Sequence, residues 1–139
     1  MRRVLFDINV VLDVLLDRQP WVEAGASAWR CVETGAAEGM LAAHAVTTIH
    51  YLLRKELGNA GAKRILSAML GVFAVAPVTG SVVTESLGLE VPDFEDAVTA
   101  VAARVAGCDW IVTRDPRGFR GAAVRALAPE GVVAILKEG

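Results

Sequence analysis

The chain has no basic excess: fourteen lysines and arginines stand against sixteen aspartates and glutamates in 139 residues, a net charge of −2. A protein that neutralises phosphates over a broad surface needs such an excess, so any nucleic-acid contact has to be local. Cysteine is scarce too. Cys31 and Cys108 stand alone, one within an expected helix and one ahead of an expected strand, which favours reduced thiols over a disulfide. Counted with His44 and His50 they follow no C-x-x-C or H-x-x-x-H spacing, and zinc has no support from them. No unbroken apolar run is long enough to cross a bilayer. The opening MRRVLF imitates the start of a secretion signal, but Asp7 and Asp13 interrupt it and no A-x-A cleavage site follows. A cytoplasmic protein without a membrane partner is therefore expected.

The hydrophobic share of 54% marks a globular chain rather than a disordered one, and the length suits a single domain over residues 1–139. Apolar runs and turn residues predict strands at Arg3–Phe6, Met40–Ala43, Val72–Val75, Asp109–Val112 and Val124–Leu127. Between them, helical periodicity and stop signals predict helices from Val10 to Asp17, Trp21 to Thr34, Val46 to Leu57, Ala60 to Leu70, Ser81 to Gly88 and Phe94 to Ala106. Gly58-Asn59 separates the third from the fourth, and Pro129 opens a terminal helix. Strands alternating with helices imply an α/β fold with a parallel sheet covered on both faces.

Three acids stand where apolar runs meet polar turns: Asp7 in VLFDIN, Asp96 in PDFEDAV and Asp115 in WIVTRDPRGF. Two of them follow buried strands and one opens an apolar helix, so all three are expected at one end of the sheet. In open α/β folds ligands bind in the crevice outside the carboxyl ends of the strands, and converging carboxylates there suit a hard cation. Asp93 precedes Asp96 by three residues, a spacing that places both on one face of the first helical turn; Asp93 also fits an N-cap, with Glu95 and Asp96 complementing the helix dipole. Asn9 and Thr113, each two residues from a principal acid, can orient a carboxylate or a water. Asp13 reads as solvent-facing or paired with a base, and His44 as a packed, hydrogen-bonded histidine. Arg54-Lys55 and Lys63-Arg64 read as solvated charge, whereas Arg114, Arg117 and Arg120 flank the third acid.

The segments LFDINVVLDVLL, AVTTIHYLLRK, DFEDAVTAVAA, GCDWIVTRDPRGF and APEGVV together resemble the PIN-domain nucleases, in particular the small VapC-type toxin ribonucleases, over nearly the whole chain. The resemblance implies a three-layer α/β/α fold around a five-stranded parallel sheet. It also implies RNA hydrolysis with Mg²⁺ or Mn²⁺ held by Asp7, Asp96 and Asp115, with Asn9 and Thr113 as polar helpers. A homodimer and a cognate antitoxin protein are the implied partners. The chemistry asked of such a site makes Arg114 and Arg117 expected phosphate contacts, and a single-stranded RNA the substrate that bends into a narrow cleft. One departure stands out: where the family usually carries an acid after the second strand, this chain has Thr48. Two alternatives follow. A PIN domain weakened by that loss could act as an RNA- or protein-binding module. A haloacid-dehalogenase-type phosphatase also starts from a strand-end Asp, but needs a general acid two residues later, where Asn9 cannot serve.

Overall fold

All five expected strands form in the computed structural model, which describes residues 1–138. The elements run β1 (Arg3–Phe6), α1 (Ile8–Leu15), α2 (Val22–Glu33), β2 (Glu38–Ala42), α3 (Ala43–Leu70), β3 (Ala74–Ala76), α4 (Gly80–Ser86) and α5 (Phe94–Val105). They continue through β4 (Trp110–Val112), a 3-10 turn (Pro116–Phe119), β5 (Arg125–Leu127) and α6 (Pro129–Glu138). The sheet is parallel throughout, with strand order β3-β2-β1-β4-β5.

Alternation along each strand divides the core in two. Val4 and Phe6, with Leu41, Trp110 and Val112, pack under α1, α2, α3 and α6, while Leu5, Met40, Ala42 and Ile111 face the apolar stripe of α5, including Val98 and Val101. Phe73 anchors the first layer edge-on against Phe6 and Trp29, with ring centroids 5.0 and 4.8 Å away. Gly39 lets it come that close to β2: a Cβ there would lie 2.7 Å from side-chain atoms of both Phe73 and Val32.

Two boundaries differ from expectation in ways that matter for the site. Helix α1 starts at Ile8 instead of Val10, because the extended Asp7 accepts from the Ile8 N–H at 2.9 Å and caps it. Helix α3 starts at Ala43, directly on the end of β2, and continues to Leu70 across a break at Gly58, whose φ of 74° and ψ of 171° suit glycine. The two expected helices are thus joined without a loop, and Thr48 falls in the second turn rather than the opening one.

Strand order also determines where a crevice opens. From β1 the chain builds outward through β2 and β3, then returns to lay β4 on the other side of β1. Between β1 and β4 the connections leave in opposite directions, and the carboxyl ends of both strands border the gap.

Candidate metal centre

Asp7 directly follows β1 and Thr113 directly follows β4, so the two residues continue the ladder that pairs Phe6 with Val112. The Asp7 N–H donates to the Val112 carbonyl at 2.8 Å. One step further the side chains take over: the buried Thr113 hydroxyl donates to Asp7 Oδ2 at 2.9 Å and accepts from the Asp115 N–H at 3.1 Å. A single hydroxyl therefore ties the acid after β1 to the backbone carrying the acid after β4. Asp7 is only 8% exposed. Burial pushes its carboxyl above the ordinary range, against the lowering effect of the Thr113 and Ile8 hydrogen bonds.

Asp96 reaches the same place from α5. Asp93 caps that helix, accepting from the Asp96 N–H at 3.0 Å, which seats Asp96 in the first turn. The Asp96 carboxyl is pushed up to about 7 by burial first, then by Asp7, Asp93, Glu95 and Asp115. Asp115 is more exposed. Its approach to Asp96 is read from Gly118: a Cβ there would stand 3.0 Å from Asp115 Oδ2 and 3.7 Å from Asp96 Oδ2. The three principal acids are thus neighbours, and none forms a salt bridge among the described residues.

The crevice beside them has a volume of about 320 Å³ and is lined by Asp7, Asn9, Thr48, Asp93, Glu95 and Asp96 together with Ile8, Leu12 and Leu52. Thr48 and Asn9 are thereby brought to the acids, and Asp115 stands outside this lining. Glu95, read from sequence only as a complement to the helix dipole, is an additional wall residue that raises the carboxyls of both Asp7 and Asp96. The run of three acids within PDFED was the signal for it. Among the described residues no three His, Cys, Asp or Glu side chains are gathered closely enough to hold an ion as they stand.

One expectation about the flanking charges is corrected. Arg114 does not turn toward the acid crevice: its Nε lies 2.9 Å from Asp13 Oδ2 and its guanidinium carbon 4.0 Å from the centre of the Trp21 ring. Arg117 is exposed and forms no salt bridge among the described residues. Asp13, expected to be solvent-facing or paired with a base, is 1% exposed and has Arg114 as its basic partner. His44 packs as a hydrogen-bonded histidine, its Nε2 3.3 Å from the Thr99 hydroxyl. Cys31 and Cys108 are both free.

The family profile described as PIN domain matches residues 3–117. The chain belongs to the PIN-domain family. Solved PIN-fold relatives share its architecture at low identity. FitAB bound to an IR36 DNA fragment is 21% identical with a TM-score of 0.66, covering 91% of this chain and 95% of the relative's. VapBC2 from Rickettsia felis, bound to a DNA fragment from its promoter, is 11% identical with a TM-score of 0.66, covering 91% and 98%. DNA-bound VapBC from Salmonella typhimurium is 16% identical with a TM-score of 0.64, covering 93% and 99%. No curated protein matches the sequence. The phosphatase alternative falls away with the family match. Within this PIN domain no helix among the described residues is long and apolar enough to cross a membrane.

Proposed function

We propose that this PIN domain is a divalent-metal-dependent ribonuclease that hydrolyses phosphodiester bonds of single-stranded RNA and serves as the toxin of a cytoplasmic toxin–antitoxin pair. The observation that carries the reading is the meeting of Asp7, Asp96 and Asp115 at the gap between β1 and β4, without a basic partner, with the Asp96 carboxyl raised to about 7. Carboxylates that raise one another in a half-buried crevice are relieved by a cation. The donor set is all oxygen, which fits Mg²⁺ or Mn²⁺. When bound, the ion would polarise a phosphoryl oxygen and lower the pKa of a coordinated water.

The protein's own groups account for the rest. Asp7, Asp96 and Asp115 are the proposed metal-binding and catalytic acids. Thr113 holds Asp7 and the Asp115 backbone in relative position, Asn9 and Thr48 line the wall, and Asp93 orients the first turn of α5. Arg117 is the proposed phosphate contact. The toxin assignment rests on the resemblance to VapC-type toxins, and the DNA-bound FitAB and VapBC structures share the fold; a homodimer and a cognate antitoxin are the proposed partners. A second reading, a catalytically weakened binding module, is favoured by one observation: Thr48 supplies a hydroxyl to the crevice where the family usually supplies a carboxylate.

Mn²⁺-dependent cleavage of single-stranded RNA separates the two readings. Asp7→Asn, Asp96→Asn and Asp115→Asn are each expected to lower it at least about a hundredfold, and to fail as a unit rather than additively. Wild-type-like cleavage by Asp96→Asn refutes the site. RNA binding without cleavage in the wild type supports the binding module.

A further inference from the structure

Arg114 lies between Thr113 and Asp115 yet faces a different cleft, of about 430 Å³, lined by Asp13, Trp21, Glu23 and Glu130 among others. Its partner Asp13 belongs to α1, the helix capped by Asp7. The ion pair is not an obvious source of stability. Asp13 is 1% exposed, its Oδ1 has no hydrogen-bond partner, and burial raises its carboxyl despite Arg114 and Arg18. The 2.9 Å approach is ionic only, since the Arg114 Nε–H is poorly aligned for a hydrogen bond. Apolar residues of similar volume often replace buried pairs of this kind without loss of stability. What the pair does provide is geometry. Thr113 is tied to α1 through Asp7, and Arg114 is tied to the same helix through Asp13 and stacked on Trp21. Asp115 is the next residue.

We infer that Asp13 is a positioning residue: acting through Arg114, it clamps the Thr113–Asp115 segment against α1 and so sets where the Asp115 carboxylate stands relative to Asp7 and Asp96. The inference rests on the metal-nuclease reading for its consequence, but the clamp itself is a property of the fold. Losing an outer partner of a metal-binding group typically lowers metal affinity tenfold or more. Arg114→Met removes the ion pair and the guanidinium on Trp21 while keeping an apolar side chain of similar reach, Asp13→Asn removes the pair from the other side, and Arg114→Lys keeps the charge.

The test uses the full chain with three readouts. Amide hydrogen exchange without metal follows the Asp115 N–H, which donates to Thr113; calorimetry follows Mn²⁺ affinity; and cleavage of single-stranded RNA gives kcat and KM separately. Arg114→Met and Asp13→Asn are expected to speed Asp115 exchange at least about tenfold while amides within β1 and β4 keep their protection. Mn²⁺ affinity and kcat should each fall about tenfold, with KM unchanged and Arg114→Lys recovering part of the loss. Unchanged Asp115 exchange in Arg114→Met overturns the clamp. A raised KM with unaltered kcat and metal affinity also overturns it, in favour of Arg114 leaving Trp21 to grip phosphate. A lowered melting temperature with intact Asp115 exchange reduces the pair to a structural role. If the wild type neither binds Mn²⁺ nor cuts RNA, the nuclease reading fails and Asp115 exchange alone decides the clamp. Should Asp13→Asn not fold, the two Arg114 variants carry the comparison.

Discussion

Asp96→Asn is expected to make the metal-free protein more stable above neutral pH while removing its activity. The Asp96 carboxyl ionises near 7 in the fold against its ordinary 3.8, because burial and four neighbouring acids oppose its charge. A folded-state pKa above the unfolded one means that folding favours the protonated form. Stability is therefore full below pH 4 and is lost progressively as pH rises to about 7. At about 1.4 kcal/mol for each tenfold change in proton affinity, the ceiling on the loss is about 4 kcal/mol. Water reaches this half-buried crevice, and about half that figure, ~2 kcal/mol, is the working expectation. Asparagine carries no charge to oppose. In a chain of this size ~2 kcal/mol corresponds to a melting temperature about 7 °C higher for the variant at pH 8, with the two proteins converging by pH 4. Differential scanning calorimetry in chelator, repeated from pH 4 to 8, measures this directly. Saturating Mn²⁺ at a hundred times its Kd should add about 2.7 kcal/mol to the wild type and much less to the variant. A stability difference that stays constant between pH 5 and pH 8 would refute the reasoning, since a packing effect of the substitution has no reason to follow the titration.

Other variants address single contacts. Gly118→Ala would put a Cβ 3.0 Å from Asp115 Oδ2; calorimetry should show Mn²⁺ affinity down several-fold while the melting temperature moves by no more than about 2 °C, and unchanged affinity would count against Asp115 as a ligand. Arg117→Ala should weaken RNA binding and reduce the slope of log affinity against log salt by about 0.7, one single-strand phosphate contact; an unaltered slope returns Arg117 to solvent. Thr48→Glu adds a carboxylate to the crevice wall and is expected to tighten Mn²⁺ and speed cleavage. Its place in the second turn of α3 means that the helix dipole helps little, so equal Mn²⁺ affinity in the two proteins would show that residue 48 does not reach the ion.

The strand ends were legible because buried parallel strands write themselves as short apolar runs: VLF and WIV each stop at the polar residue that begins the crevice. The acid of α5 was legible through its cap, since an Asp three residues ahead of Asp96 is a local signal with a local cause. Boundaries failed where the cause was not local. Ala43–Ala45 carries no start signal, yet α3 begins there because β2 runs straight into it. The partner of Arg114 was hidden for a similar reason. Asp13 and Arg114 come from opposite ends of the chain, and only the laying of β4 beside β1 brings them together. Adjacency to Asp115 suggested phosphate, but a neighbour in sequence at the end of a strand points to the opposite side. Glu95 escaped because an acid in a first helical turn already has a sufficient explanation in the dipole.

The Thr113 hydroxyl that holds Asp7 lies 106 positions further along the chain. Translation delivers residues at roughly 5–20 per second, so Asp7 is in existence for several seconds before its counterpart emerges from the ribosome. During that interval β1 can find β2 and α1 can form, but the strand that borders the crevice on its other side has not yet been made. The crevice is thus incomplete on the growing chain, and its acids can gather only after β4 has emerged.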